Sequence, residues 1–391
     1  MKRAFVLVFL FLGVWAGGVF GQTPAADAGG APKATAPTAA PSAVPARARF
    51  VPVLISATDS SGNPVTDLTK DQFSILDTLQ PVQALQAFKA ADIPLHLAVV
   101  LLAATGTFSQ QQAAASELIK RVVRPKLDEA FVVTARGKKP WPSDRLDWKQ
   151  DPADLVKMIE GLDRNAGLHD AFSFDIVTDE TEFDENAGRN SMQVYSGGGV
   201  NVFDAVYSMM NSDPRPARRV MVIFREPWAH SPGFGQRINT VVESKLMQVI
   251  AVAQQMHIAT FVIGLEDTRF NGVSDNTIGK TYISLHAGDD GGAGTASRAY
   301  DKEMEADKVR AYGAGKMNVQ RLAAETGGAT FWSAKKNYPD AVNAIANLIA
   351  GEYILTFTPS VSSSPTHTLK ITANTGAKVL AQPSFVYGAP K

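Results

Sequence analysis

The sequence predicts an α/β fold: a doubly wound, mostly parallel sheet inserted in a small β-sandwich formed by the N- and C-terminal segments. Three observations predict it. From about residue 95 onward, apolar runs of strand length alternate with amphipathic helical stretches. Such strands show no polar alternation, which indicates a parallel sheet covered on both faces. The two ends of the folded part are β-rich, and neither is long enough to fold alone.

The elements follow in order. Lys2 and Arg3 precede an apolar stretch from Ala4 to Val19, and Val19-Phe20-Gly21 offers a small-x-small cleavage site before Gln22. This is the pattern of a secretory signal over residues 1–21. The competing reading is an uncleaved membrane anchor, but the stretch is short for a span and contains Gly13, Gly17 and Gly18. No cysteine follows it, so attachment through a lipid-modified cysteine is excluded. Residues 22–46 are Ala, Pro, Thr, Gly and Ser with almost no large apolar side chain. They cannot bury enough surface to offset their ordering entropy and read as a disordered tether.

Residues 47–92 form the first half of the expected sandwich. Residues 48–58 read as a strand, 59–64 (Asp-Ser-Ser-Gly-Asn-Pro) as a dense turn, and 73–77 as a second strand after a short helical turn. Residues 93–350 form the α/β part. Its strands are His96–Ala103, Ala130–Thr134, Val220–Phe224, Ile258–Gly264 and Thr330–Trp332, and its helices lie near 109–123, 152–162, 201–210, 239–256, 316–326 and 338–350. Val242, Leu246, Val249 and Ile250 share one helical face. Val319, Leu322 and Ala323 do the same before Gly327-Gly328 stops their helix. Two polar stretches, 164–199 and 267–314, are too long for plain connections and read as insertions. Residues 351–391 return to strands at 352–359, 366–372 and 384–387, and complete the sandwich begun at the other end.

Composition bounds the function. Across 391 residues, 38 Lys and Arg balance 38 Asp and Glu. Nothing points to nucleic acid as a partner, and the pairs Lys138-Lys139 and Arg218-Arg219 read as solvated charge. Loss of the signal removes two positive charges and leaves a net charge of about −2, a weak bias. There is no cysteine, so thiol nucleophiles, thiolate metal sites and disulfides are all excluded. The expectation is an exported protein, periplasmic or secreted, with no membrane span once the signal is removed.

Five stretches together resemble the von Willebrand factor A-like proteins abundant in Acidobacteria. They are Val-Thr-Asp-Leu-Thr-Lys-Asp-Gln-Phe (65–73), Pro-Leu-His-Leu-Ala-Val-Val-Leu-Leu (94–102), Val-Phe-Asp-Ala-Val (202–206), Leu-Ala-Ala-Glu-Thr-Gly-Gly (322–328) and Gly-Glu-Tyr-Ile-Leu-Thr-Phe-Thr-Pro (351–359). Each is modest alone, and their order is specific. The resemblance covers roughly residues 48–388. It implies a ligand face at the carboxyl ends of the strands, where open α/β sheets generally bind.

The resemblance also implies a metal site of three loops, and this chain departs from it at each. The first loop, Asp-x-Ser-x-Ser in the family, is Ala103-Ala104-Thr105-Gly106-Thr107. The threonine expected before the third helix falls at Val200, with Asn201 beside it. The aspartate expected after Val220–Phe224 is Arg225, followed by Glu226. A one-residue slip brings in Asn201 or Glu226 without restoring the first aspartate. Mg²⁺ needs hard oxygen ligands, usually including a carboxylate. The expectation is therefore a degenerate face with no metal and no cofactor. In one reading, Arg225 takes the metal's place, bonds Thr105 and Thr107, and receives a carboxylate from a protein partner. In the other, Arg225 points to solvent and the face is vestigial.

Other residue patterns carry less chemistry. Asp175, Asp179, Glu180, Glu182, Asp184 and Glu185 lack the spacing of a calcium loop and read as a solvated acidic segment. Gly197-Gly198-Gly199 has no Lys-Ser/Thr pair after it and reads as a permissive turn, and Asp289-Asp290-Gly291-Gly292 as loop. The six histidines, at 96, 169, 230, 257, 286 and 367, show no metal-ligand spacing, and His96 reads as a core or edge residue. No nucleophile elbow or triad is visible. Trp141, Trp228 and Trp332 suit either a contact surface or internal packing, with Trp228 just past the third loop. The expected function is non-enzymatic protein binding by an exported module. The rivals are a metal-dependent adhesion module and an extracytoplasmic hydrolase.

Overall fold

The computed structural model describes residues 50–102, 108–135, 146–163, 202–213, 215–225, 236–265, 316–333, 338–360 and 366–386. The signal, the tether, both expected insertions, Trp141 and the glycine run at 197–199 lie outside these residues.

The central element is a five-stranded sheet in which all neighbours are parallel. Its order is β6-β5-β7-β8-β9, with β5 Leu95–Leu102, β6 Glu129–Ala135, β7 Arg218–Arg225, β8 Ile258–Leu265 and β9 Thr330–Ser333. The apolar runs of the central strands form strands because their positions are buried on both faces. Leu97, Ala98, Val99, Val100 and Leu101 are each at most 3% exposed. A strand buried on both faces needs cover on both. That cover comes from α1 (Phe108–Val122), which packs with α2 (Pro152–Glu160) and α6 (Pro339–Ala350), and from α3 (Val202–Ser212), which packs with α4 (Gln236–Gln255). Helix α5 spans residues 316–325, and Val319, Leu322 and Ala323 bury its inner face. It stops at Gly327, whose φ of +82° is the left-handed conformation that glycine adopts without strain. Gly328 follows so close to β8 that an added Cβ would stand 1.9 Å from the Thr260 carbonyl oxygen.

The two ends of the chain pair with each other. β1 (Val51–Thr58) lies antiparallel between β10 (Glu352–Phe357) and β12 (Lys378–Ala381), and β4 (Ala84–Lys89) flanks β10. In a second four-stranded sheet, β2 (Phe73–Asp77) pairs with β11 (Thr366–Ala373), between β3 (Gln80–Val82) and β13 (Ser384–Val386). Alternate residues close a shared core: Val53, Ile55, Leu355 and Phe357 from one sheet, Phe73, Ile75, Leu369 and Ile371 from the other. The Tyr353 ring meets Phe73 edge-on at 5.5 Å, and Phe357 meets Phe385 at 5.7 Å, both across the sheets. Leu54, on the other face of β1, belongs to the larger core of the parallel sheet, and α6 packs against β1.

The sequence reading found β1, β2, β10, β11 and β13 but not β3, β4 or β12. All three missed strands are sheet edges. Pro81 sits in β3, where an edge position tolerates a residue that cannot donate. In β4, Leu85 and Phe88 are exposed while the small Ala84 faces the core, so the apolar pattern points the wrong way.

Candidate functional site

Two edges of the parallel sheet collect polar side chains. At the carboxyl edge the strand order sets a topological switch point. The chain leaves β5 for β6 on one side and later enters β7 on the other, so the connections diverge between β5 and β7. Ligands of open α/β sheets bind at such a switch point. Arg225 is the last residue of β7 and stands here, in register with Gly264 of β8, which is in register with Trp332 of β9. Residues in register on parallel strands share a face. A Cβ on Gly264 would fall 1.9 Å from Cζ3 of Trp332, so the indole spreads over the glycine, next to the arginine in the row. The Lys316 ammonium lies 5.3 Å from the centre of that indole, within cation–π range. The indole Nε1–H is buried without a hydrogen-bond partner.

Arg225 is 2% exposed and has interaction partners of its own. The reading in which it points to solvent is therefore corrected. A guanidinium is always charged and costs several kcal/mol to bury unless its donors are met, and Arg225 has such partners. Thr105, Thr107, Asn201, Glu226 and Trp228 lie outside the described residues.

The amino edge carries a second constellation. His96, the second residue of β5, stands opposite Glu129 on β6 and Arg219 on β7. Its Nε2 stands 3.7 Å from Glu129 Oε2 and 3.6 Å from Asp213 Oδ2. Its Nδ1 is buried without a partner, and its ring lies 4.9 Å from that of Trp148. Arg215 bridges the two carboxylates, with Nε 2.8 and 2.9 Å from the Asp213 oxygens and Nη2 on Glu129 Oε2. Gln150 donates to the other Glu129 oxygen at 2.7 Å. Burial drives the His96 pKa below the ordinary histidine value, against the pull of Asp213 and Glu129. Burial opposes ionisation of Glu129, but hydrogen bonds from Arg215 and Gln150 prevail and hold it below the carboxylate range. The Arg215 hydrogen bond holds Asp213 lower still.

Beside this edge, Arg218 donates to Glu352 at 2.7 Å and to the carbonyls of Ile349 and Ile93, joining β7 to β10. Burial, only partly offset by the guanidinium, pushes the Glu352 carboxyl up to about 7. Both side chains are nearly inaccessible, so the expectation that Arg218 is solvated charge is also corrected. A cavity of about 520 Å³ opens next to the pair, walled by Phe88, Ile354 and Pro94 and by Arg215, Arg219 and His257.

Sequence reasoning located Arg225 but missed the amino-edge cluster. His96 was read as a core or edge residue. It is buried, but its partners Glu129 and Asp213 come from the start of another strand and from the turn before a third, so no local spacing announces them. The one signal was a histidine and a glutamate near the start of apolar strands, where a charge has to be compensated.

No family model matches the chain, and no curated protein matches it. Among solved structures it is similar to the human COPII-coat protein Sec24c (6% identity, 75% of this chain and 43% of that one, TM-score 0.33). It is also similar to the PilB minor pilin from Streptococcus sanguinis (9% identity, 65% and 62%, TM-score 0.29) and to the N-terminal domains of the type V pili tip protein Mfa5 from Porphyromonas gingivalis (12% identity, 47% and 28%, TM-score 0.24). The chain spans less than two thirds of the length of each.

Proposed function

We propose that this protein is an exported, non-enzymatic binding module. In this reading a von Willebrand factor A-type, doubly wound domain (residues 93–350) is inserted in a sandwich built from residues 47–92 and 351–391. Its carboxyl edge binds a protein partner without metal. The observation that carries the reading is Arg225: a cation buried at the switch point, on the strand end where the family resemblance calls for a metal-binding aspartate. An arginine there repels Mg²⁺ and supplies positive charge of its own. Its fixed charge, held among its own partners, makes this edge attractive to a carboxylate. Trp332 beside it, with Lys316 over its ring, adds aromatic surface of the kind that anchors interfaces.

The test is binding of the purified chain to an immobilised glutamate-containing peptide, in EDTA. The proposal expects binding that survives EDTA, is largely kept in Arg225→Lys, which retains the charge, and is lost in Arg225→Gln. Circular dichroism on each variant checks that the fold persists. Binding that requires Mg²⁺, or that is equal in wild type and a folded Arg225→Gln, overturns it.

A further inference from the structure

We propose that His96, Glu129 and Asp213 form a site for a divalent transition metal of the zinc class, at the amino edge of the parallel sheet, with Arg215 as the exchangeable cation that neutralises the carboxylates in the metal's absence. The site lies at the opposite edge from Arg225 and does not depend on the function proposed there.

The geometry comes first. His96 Nε2 and one oxygen from each carboxylate all lie within 4.8 Å of one another, and the two histidine-to-oxygen separations are 3.6 and 3.7 Å. Tetrahedral zinc with bonds of about 2.0–2.1 Å keeps its ligand atoms about 3.4 Å apart. On the histidine side, closure therefore asks for movements of only a few tenths of an ångström.

The burial of the histidine bears on the ligand it offers. His96 is 1% exposed, its Nδ1 has no hydrogen-bond partner, and its Nε2 stands beyond hydrogen-bond reach of both carboxylates. Buried polar atoms are nearly always paired, and an unpaired one costs stability. The unpaired atom is Nδ1, while Nε2 faces the two carboxylates that Arg215 already bonds. In the tautomer that carries its proton on Nδ1, Nε2 presents its lone pair to an ion in that position. Burial keeps the ring neutral, which is the ligating form.

The surroundings hold the ligands in place. His96 and Glu129 are opposite each other on paired strands, Trp148 braces the imidazole, and Gln150 occupies Glu129 Oε1 and leaves Oε2 to face the site. Such outer contacts orient metal ligands. Arg215, in contrast, is 59% exposed, and among the described residues its guanidinium bonds only to these carboxylates. It also lines the cavity, so it can turn outward and give an ion a path in. One nitrogen and two oxygen ligands favour Zn²⁺, Co²⁺ or Ni²⁺ over Mg²⁺ and Ca²⁺, which take oxygen alone.

The experiment is a titration of the tag-free, EDTA-treated chain with Co²⁺, read by the visible absorption of the tetrahedral ion and then reversed with Zn²⁺. The proposal expects one Co²⁺ per chain and displacement by Zn²⁺, with affinity reduced by about 100-fold or more in His96→Ala. An absent band, or one unchanged in a folded His96→Ala, overturns it. Arg215→Ala decides the matter if His96→Ala does not fold. It leaves the ligand set intact and removes the competing cation, so Co²⁺ binds about tenfold more tightly, a difference of about 1.4 kcal/mol. Unchanged or weaker binding in that variant overturns the proposal.

Discussion

Glu352→Gln tests how the two cores are joined. Glu352 is 1% exposed and receives one hydrogen bond from Arg218, while its second oxygen has none. Its folded pKa of about 7 exceeds the ordinary 4.5 because burial penalises the carboxylate more than Arg218 rewards it. A carboxyl whose pKa is raised by folding contributes stability that is complete below the unfolded value and is lost as pH climbs through the folded one. The window is therefore pH 4.5 to about 7, and at about 1.36 kcal/mol per unit it is worth about 3 kcal/mol. Glutamine has the same shape, stays neutral and still accepts from Arg218, at a cost of about 1 kcal/mol for the extra unpaired N–H it buries. The variant is then about 2 kcal/mol more stable than the wild type at about pH 8, and about 1 kcal/mol less stable near pH 4.5. Urea unfolding of both proteins at several pH values measures this, and other titrating groups cancel in the difference. A variant destabilised by about 3–5 kcal/mol at about pH 8 would refute the reasoning, because that is the cost of breaking a net-favourable buried ion pair.

Further predictions concern the turns and buried polar groups. Thr78 (φ +47°) and Leu79 (φ +67°) form the two-residue turn between β2 and β3, a conformation that favours Asn-Gly, and Leu79 is 88% exposed. Leu79→Gly should raise stability by about 1 kcal/mol in urea unfolding. The Tyr353 hydroxyl donates to Val65 O at 2.8 Å and accepts from Leu68 N at 3.1 Å, so Tyr353→Phe should cost about 1–3 kcal/mol by the same assay. Burial, aided by Arg219, depresses His257 from 6.5 to about 4. Here the unfolded chain takes up the proton first, so stability falls as pH drops from 6.5 towards 4. His257→Asn, which tolerates the positive φ of 55° and does not titrate, should flatten that acid limb of the unfolding curve.

Much of this architecture is legible in the sequence because burial on both faces leaves a plain signature. Leu97 to Leu101 and Val220 to Phe224 carry no polar side chain, and no other element explains such a run at strand length. The pairing of the two chain ends was legible for a different reason. β1 and β2 alternate apolar residues with too few partners nearby, and β10 and β11 offer the same pattern at the other end. The edge strands were not legible, since an edge needs few apolar residues and β4 shows Leu85 and Phe88 to solvent. At the site, Arg225 stood out as a charge ending an apolar strand. The His96 cluster did not, because it is made by strand register: His96 opposite Glu129 is a fact of pairing, not of spacing.

The central claim is that the carboxyl edge works through a fixed cation and not through a bound metal. The most direct measurement is the unfolding temperature of the EDTA-treated His96→Ala chain, with and without millimolar Mg²⁺. That variant removes the amino-edge cluster, so any Mg²⁺ response has to come from elsewhere. A ligand held only by the native state stabilises it by about 2.7 kcal/mol at one hundred times its dissociation constant. The account predicts no change in the unfolding temperature. A clear rise that disappears when Thr105 and Thr107 are replaced by alanine would contradict it, since it would place a working metal site beside Arg225.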